Sequence, residues 1–184
     1  MKPLSDTYVE ETRFGFWFLR SHTWQHHVLR VAINDLRSLF SLPLPVAPVI
    51  LDAGCGQGKS FQYLHKTFAP QRLIGLDADP LSLNMSRDEA ERQGIEIELI
   101  GSDCAELEVP DASVDLLFCH QTFHHLVQQD RALAEFHRDS CSGSAGRHPD
   151  RSGAGGRRFC AGTGTICPDH NPHQESPARR VTAG

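Results

Sequence analysis

The sequence lacks a long apolar run and a strong excess of charge of either sign. No apolar segment approaches the roughly 20 residues that a membrane-spanning helix needs, and residues 1–6 lack the apolar core of a signal peptide. We therefore expect a cytoplasmic protein without a membrane partner. The formal net charge of the 184 residues is −5, which gives no electrostatic reason to expect a nucleic-acid partner.

A paired-cysteine pattern is also lacking. The six cysteines form no C-x-x-C pair and follow no regular spacing. This scatter argues against a disulfide framework and against a paired zinc site. Cys160, Cys167, His170 and His173 carry metal-donor atoms, but their spacing matches no closed zinc site. We predict no bound metal.

Between residues 46 and 138, apolar segments alternate with segments of helical periodicity. The predicted strands are 47–52, 72–77, 95–100 and 114–119, and the predicted helices are 59–68, 81–93 and 130–138. The strands are apolar almost throughout, which is typical of a parallel sheet covered on both faces. We expect Asp130 to cap the last helix and Leu133 and Phe136 to point inward. The alternation predicts a doubly wound, Rossmann-like α/β fold.

Residues 1–45 form a predicted helical extension in front of this domain. Apolar residues at steps of four, three and four run from Leu29 to Phe40, as on one face of a helix. Aromatic residues concentrate between Phe14 and Trp24. They make the extension either a candidate lid over the domain or a cap on the edge of its sheet.

The most informative segment joins the first predicted strand to the helix that follows it. Residues 49–60 read VILDAGCGQGKS, an apolar run with Asp52 at its end, followed by Gly54, Gly56 and Gly58. Glycine at positions 54 and 56 would let the turn pass close to a ligand, and the amides that open the helix would attract a carboxylate. Asp52 is placed to meet an ammonium group. This turn predicts a site for a small polar cofactor.

Two further acidic residues follow the next two predicted strands. Asp77 closes the second strand, at a distance from Gly58 that suits a carboxylate accepting both hydroxyls of a ribose. Asp103 ends the third strand beside Cys104, and a carboxylate there suits the exocyclic amine of adenine. Because parallel strands end at one edge of the sheet, we expect these residues to surround one cofactor.

The glycine turn is also compatible with two other nucleotide sites. Residues Ala53-x4-Gly58-Lys59-Ser60 satisfy a relaxed P-loop pattern, in which Lys59 would bind phosphates and Ser60 would bind Mg²⁺. Ala53 replaces the first glycine of that pattern, and the strand ending at Asp77 comes too soon for its acidic residue. A dinucleotide site needs G-x-G-x-x-G, whose third glycine falls on Lys59. A P-loop nucleotide-binding protein is kept as an alternative.

The glycine turn resembles the cofactor site of class I S-adenosylmethionine-dependent methyltransferases. The segment Asp111–His120 (DASVDLLFCH) is similar to a D-x-S-F-D-x-V phrase before the fourth strand of the methyltransferase type 11 group, and His124-His125-Leu126 matches an HHL that commonly follows. The resemblance implies S-adenosyl-L-methionine as the cofactor and an unidentified, small-molecule or other, methyl acceptor. The implied cofactor-binding residues are Asp52, Gly54, Cys55, Gly56, Gly58, Asp77, Ala78, Asp103, Cys104 and His120.

His120 is also the candidate catalytic residue. The resemblance implies a place for it beside the sulfonium, and its imidazole could accept a proton from a hydroxyl or amine acceptor at neutral pH. The alternative is a histidine with a packing or hydrogen-bonding role. The sequence does not distinguish oxygen, nitrogen, carbon and sulfur acceptors.

The pattern stops after Arg138. The family fold has seven strands, whereas only the first four are recognisable here, and residues 139–184 are rich in glycine, serine, arginine and proline and contain no lysine. A segment with so few large apolar residues cannot offset its ordering entropy, so we predict a disordered tail. Our hypothesis is that the reading frame is lost near residues 138–139. The chain is then an incomplete methyltransferase or an inactive cofactor-binding fragment.

Overall fold

The computed structural model describes residues 8–9, 12–19, 21–39, 44–140 and 160–161. Its helices are α1 (Arg13–Leu19), α2 (His22–Trp24), α3 (Arg30–Leu39), α4 (Phe61–Phe68), α5 (Pro80–Gln93) and α6 (Gln129–Ser140). Its strands are β1 (Val49–Ala53), β2 (Arg72–Asp77), β3 (Glu98–Gly101), β4 (Leu116–Phe118) and β5 (Cys160–Ala161). A π-helical segment, Gln25–Leu29, joins α2 to α3, and a 3-10 turn, Phe123–His125, follows β4.

The strands form one parallel sheet in the order β3-β2-β1-β4-β5. The central strand is β1, in which Leu51 pairs with Ile74 of β2 on one side and with Leu117 of β4 on the other. Chain order therefore reverses at β1, and the order 3-2-1-4 confirms the predicted Rossmann-like α/β fold. Ligands of such sheets bind beyond the carboxyl ends of the strands at this reversal.

Strand β2 has its predicted bounds, whereas β3 begins at Glu98 rather than at residue 95. The reason is the end of α5, where Gly94 adopts a left-handed conformation with φ of 65°. The amide of Ile95 then donates to the carbonyl of Ala90 at 3.0 Å. This helix cap uses the backbone group that the sheet would otherwise need.

Helices cover both faces of the sheet, as the apolar strands predict. Leu51 and Ile74 belong to the core that α6 covers, whereas Ile50 and Leu73 belong to the core shared with α3, α4 and α5. Neighbouring strand residues point to opposite faces, so β1 and β2 each contribute to both cores. Each fully buried side chain of this size contributes about 1.5–3 kcal/mol relative to exposure.

The N-terminal extension is helical but interrupted. Ser21 caps α2, since its Oγ accepts a hydrogen bond from the amide of Trp24 at 3.1 Å. The predicted inward face is confirmed for Leu29, Ile33 and Leu36, which are buried against the sheet. Phe40 lies outside the described residues.

Helix α6 begins at Gln129 and ends at Ser140, so it extends past the predicted bounds at both ends. Asp130 lies in its first turn and is not the predicted cap, because the amide of Ala132 already donates to the carbonyl of Gln128 at 3.0 Å. The inward prediction is confirmed for Phe136 but wrong for Leu133, which is 40% exposed. Ala132 and Phe136, four residues apart, form the buried face instead.

The sequence predicts no fifth strand, but β5 lies beside β4 and pairs in parallel with Leu117 and Phe118. Without a neighbour, this edge of β4 would leave backbone N–H and C=O groups unpaired, and the pairing with β5 satisfies some of them. The rest of the predicted tail, 141–159 and 162–184, lies outside the described residues. Within the described ranges, no helix is long and apolar enough to cross a membrane, and no cluster of three potential metal ligands occurs.

Candidate active site

A cavity of about 430 Å³ opens at the carboxyl ends of β1, β2 and β4. Its volume falls within the roughly 300–1,000 Å³ of small-molecule sites. Nine of the ten residues predicted to bind cofactor line it, and the exception is Gly58. The structure thus brings together residues from four successive strand ends, as the strand order requires.

The three glycines of the turn all have positive φ, but their surroundings differ. A Cβ on Gly54 would lie 2.0 Å from the side chain of Thr122, and one on Gly58 would lie 2.5 Å from the ring of Phe61. A Cβ on Gly56 would meet nothing within 4 Å, and Gly56 lines the cavity. The close approach predicted at Gly54 is therefore an approach to Thr122, and only Gly56 leaves open space for a ligand.

Asp77 is the acidic residue at the end of β2. Its Oδ2 accepts a hydrogen bond from the amide of Gly56 at 2.8 Å, and its Oδ1 accepts one from the amide of Asp79 at 2.9 Å. Burial raises the pKa of this carboxyl, and the two backbone hydrogen bonds oppose that rise. Each oxygen keeps a further lone pair, so the carboxylate can still accept hydroxyl groups from a ligand. Ala78 follows it in the cavity wall.

Asp52 is the acidic residue in β1, and it is only 2% exposed. It accepts a hydrogen bond from Oγ of Ser60. Burial, and after it the charge of Asp77, raises the pKa of Asp52 to about 7, although the bond from Ser60 opposes the rise. A positively charged ligand group in the cavity would favour the ionised form of this carboxyl.

Asp103 and Cys104 lie just beyond β3. Oδ1 of Asp103 accepts a hydrogen bond from the amide of Ala105 at 2.9 Å, which fixes the turn and leaves the second oxygen available. Cys104 and Cys55 are buried, and burial raises the pKa of both thiols well above the usual value. We therefore assign both cysteines to the neutral wall of the cavity.

His120 follows β4, and its ring lies between two aromatic rings. The centroid of Phe118 is 5.8 Å away in a stacked arrangement, and that of Trp24 is 5.9 Å away. Nδ1 of His120 is buried without a hydrogen-bond partner, and the residue lines the cavity. Burial lowers the pKa of His120 because the cation would place an unpartnered N–H in the protein interior.

Sequence reasoning missed the contribution of the segment after His120. Oγ1 of Thr122 donates to the carbonyl of Gly54 at 3.0 Å, so this residue joins the β4 loop to the glycine turn. Gln121 beside it has a φ of 59°, an uncommon conformation for a residue other than glycine. The sequence carried no clear signal for either residue, because the contact joins segments far apart in the chain.

The N-terminal segment also reaches the cavity. The amide of Val9 donates to the carbonyl of His125 at 2.8 Å, and Nδ1 of His125 lies 2.7 Å from the carbonyl of Val9. Tyr8, Leu19 and Trp24 line the cavity. The extension thus contributes to the wall of the cavity, and Trp24 also packs in the core. Whether it acts as a lid or as a cap on the sheet stays a prediction.

The geometry disfavours the P-loop alternative. Nζ of Lys59 lies 2.8 Å from Oε2 of Glu89 in an ion pair, whereas a P-loop would need this amine for phosphates. Oγ of Ser60 donates to Asp52 and is not left for Mg²⁺. Both side chains that define the P-loop pattern are therefore already committed to neighbours in the fold.

A doubly wound sheet with carboxylates at three adjacent strand ends defines an α/β domain that binds a nucleotide-like cofactor. A family model described as "Methyltransferase domain" matches residues 51–143. The chain belongs to this family, the class I S-adenosylmethionine-dependent methyltransferases of the type 11 group.

Relatives and solved structures agree with this assignment. The chain is 30% identical over 86 residues to a fatty-acid O-methyltransferase of Mycolicibacterium smegmatis, covering 47% of this chain and 31% of that protein. It is 34% identical over 90 residues to a malonyl-[acyl-carrier protein] O-methyltransferase of Yersinia pestis, covering 49% of this chain and 32% of that protein. The matches thus span about a third of these relatives.

A solved structure of a SAM-dependent methyltransferase from Aquifex aeolicus resembles this fold with a TM-score of 0.60. The match has 21% sequence identity and covers 71% of this chain and 68% of that chain. At this identity the likeness shows the fold alone.

Proposed function

We propose that the cavity binds S-adenosyl-L-methionine and that the domain transfers its methyl group to a small-molecule acceptor. One observation carries this proposal. Asp52, Asp77 and Asp103 reach one cavity from three neighbouring strands, and none of them forms an ion pair within the described part of the chain. Three carboxylates without an ion-pair partner suit a ligand rich in N–H and O–H donors.

The residues present fit the parts of this cofactor. The buried carboxyl of Asp52 suits the methionyl ammonium, and the amide-anchored carboxylate of Asp77 suits the two ribose hydroxyls. The second oxygen of Asp103 suits the adenine amine. The open space over Gly56 lets the ligand approach the backbone without meeting a Cβ.

When bound, the cofactor supplies a methyl group that its sulfonium already activates for in-line displacement. The main task of the protein is therefore to position the acceptor, and orientation alone lowers such a barrier substantially. His120 is the candidate base, since it lines the cavity and its lowered pKa favours the neutral imidazole at pH 7. A neutral imidazole can accept the acceptor's proton.

Calorimetric titration of the full chain with S-adenosylhomocysteine tests the proposal. We expect saturable binding to the wild type and a loss of about 10- to 100-fold in affinity for Asp77→Asn, because two charge-assisted hydrogen bonds to hydroxyls would weaken. Asp35→Asn, at an exposed position on α3, is the matched control and should bind as the wild type does. Thermal unfolding of each variant tests whether the fold persists.

Two outcomes would contradict this proposal. One is a folded wild type that does not bind S-adenosylhomocysteine but binds ATP with Mg²⁺. The other is equal affinity for Asp77→Asn and Asp35→Asn, because the ligand would then not contact the end of β2.

A second candidate is a fragment that binds cofactor without transferring its methyl group, and the limited pairing described at β4 favours it. Among the residues that the structure describes, β5 consists of Cys160 and Ala161 and pairs with Leu117 and Phe118 of β4. The carboxylates of the cofactor site lie on or beyond β1, β2 and β3 and do not depend on it. Binding of S-adenosylhomocysteine without consumption of S-adenosylmethionine across a panel of acceptors would support this candidate.

A further inference from the structure

The lining of the cavity combines carboxylates with apolar side chains. The apolar ones include Leu19, Trp24 and Leu29 of the N-terminal segment, together with Phe118 and Leu126. His120 also lines the cavity and is in ring contact with Trp24 and Phe118. If the carboxylates hold the cofactor, the apolar side chains are left to contact the acceptor.

The charges of the cavity disfavour a negatively charged acceptor. Four aspartates line it in the part of the chain that the structure describes, and its lysine, Lys59, already pairs with Glu89 at 2.8 Å. His120 has a lowered pKa, so it supplies no positive charge at neutral pH. An acceptor carboxylate would lose its hydration near this wall without gaining a counter-charge.

The aromatic surroundings of His120 favour an acceptor with a ring. Phe118 and Trp24 both line the cavity beside His120, and aromatic rings pack against one another in tilted or offset arrangements. Proton transfer gives a further reason, because a histidine of lowered pKa is a weak base. It is better matched to a phenol, with a pKa near that of tyrosine at about 10, than to an aliphatic alcohol.

Resting on the function proposed above, we propose that the acceptor is a neutral phenol with an apolar substituent, bound against Trp24 and Leu19 with its hydroxyl at His120. In the reaction, the phenol oxygen forms a bond to the methyl carbon while the bond from that carbon to the sulfonium breaks. The proton of the hydroxyl passes to Nε2 of His120 and then to water. The products are an aryl methyl ether and S-adenosylhomocysteine.

Fluorescence of Trp24 tests binding directly. The chain has two tryptophans, and Trp17 is 64% exposed outside the cavity lining, so Trp17→Phe leaves Trp24 as the single reporter. The probes are 4-butylphenol, phenol and 4-butylbenzoate, titrated without cofactor. We expect 4-butylphenol to change the emission saturably and to bind at least tenfold more tightly than either other probe, since each buried methylene contributes about fourfold.

A second arm measures chemistry and separates this inference from the proposed function. With S-adenosylmethionine present, mass spectrometry should detect the methyl ether of 4-butylphenol, and His120→Gln should lower kcat at least tenfold with little change in KM. Leu19→Ser should raise KM without changing affinity for S-adenosylhomocysteine. These two effects would not arise from a general loss of folding.

Tighter binding of 4-butylbenzoate than of 4-butylphenol would overturn the inference, as would equal binding of phenol and 4-butylphenol. If S-adenosylhomocysteine binds and 4-butylphenol does not, the proposed acceptor class is wrong but the proposed cofactor site is supported. If S-adenosylhomocysteine fails to bind while 4-butylphenol changes Trp24 emission, the proposed function is wrong but binding of a phenol near Trp24 is supported.

Discussion

Asp52 and Asp139 are both buried carboxyls whose pKa is raised to about 7 by burial. Asp52 accepts a hydrogen bond from Ser60 and faces the cavity at the carboxyl end of β1. Asp139, near the end of α6, is 0% exposed, and neither carboxylate oxygen accepts a hydrogen bond. Its Oδ1 lies 3.0 Å from Nη2 of Arg138, close enough for an ion pair but without hydrogen-bond geometry.

The two carboxyls therefore differ in their hydrogen bonds: Asp52 accepts one from Ser60, whereas Asp139 accepts none. Asp52 has a partner in the fold and space for a ligand, so its raised pKa is what a binding site produces. Asp139 occupies a position where an apolar side chain would pack at no electrostatic cost. The family model matches as far as residue 143, so Asp139 lies within the matched region although the sequence pattern ends near Arg138.

Replacing Asp139, the carboxyl that accepts no hydrogen bond, should give the largest effect. We expect Asp139→Leu to raise the free energy of unfolding by about 3 kcal/mol, because it removes a buried carboxyl without hydrogen bonds while Arg138 keeps its ion pairs with Asp111 and Glu135. Chemical denaturation at pH 7.5 measures the change, and Asp35→Leu at an exposed site of α3 is the control.

A lower stability of Asp139→Leu would show that the fold needs this carboxylate, and the contrast with Asp52 would then be wrong.

The reading-frame hypothesis makes a separate prediction. Translation of the gene in the other two frames past codon 138 should give a glycine turn followed by an apolar strand in one of them. Polar sequence in both frames would count against a frameshift.

The second-largest change in stability is expected in the glycine turn, where alanine substitutions at Gly54 and Gly56 can be compared. We expect Gly54→Ala to lower stability by about 2 kcal/mol more than Gly56→Ala, because its Cβ would clash with Thr122. Both substitutions place a non-glycine residue at positive φ, so that cost largely cancels. Thermal unfolding measures stability, and equal losses would mean that Thr122 moves aside freely.

The raised pKa values of Asp52 and Asp139 should make the free energy of unfolding depend on pH. Their folded pKa of about 7 lies above the value near 3.9 of an unperturbed aspartate, so the folded state holds the proton more tightly. Their contribution to stability is therefore lost as pH rises from about 4 to 7, by at most ~1.4 kcal/mol per pH unit for each group. Denaturation at several pH values should show a shallower slope for Asp139→Asn and for Asp52→Asn. Unchanged slopes would contradict the raised pKa values.

The smallest effect is expected at the lysine of the glycine turn. Lys59→Met removes a partly exposed ion pair with Glu89, so we expect a loss of less than about 1 kcal/mol and unchanged affinity for S-adenosylhomocysteine. The same calorimetric titration measures this affinity. A large loss of affinity would show that Lys59 leaves Glu89 to bind the ligand, contrary to the observed ion pair.

Much of the fold and of the candidate site could be predicted from the sequence. Strand β2 was predicted to the residue, and Asp52, Asp77 and Asp103 were assigned to one edge of the sheet. Such features depend on apolar runs, glycines and strand ends, which are local properties of the chain. Binding of the cofactor by these residues stays a prediction.

Other features could not be predicted because they depend on contacts between distant segments. Thr122 meets Gly54, and Val9 meets His125, across long stretches of chain. Leu133 is exposed because the packing of Ala132 and Phe136 sets the rotation of α6. Sequence periodicity defines an apolar face only to within a residue or so.

The sequence by itself determined the family, the strand–helix alternation and the acidic residues of the cofactor edge, because each is encoded in residue types at fixed local spacing. Only the tertiary structure decided that Lys59 and Ser60 are committed to Glu89 and Asp52, and that Trp24 meets His120 at the cavity. Only it showed that Asp139 is buried without a hydrogen bond. Burial and long-range pairing arise when the sheet assembles, and no local pattern records them.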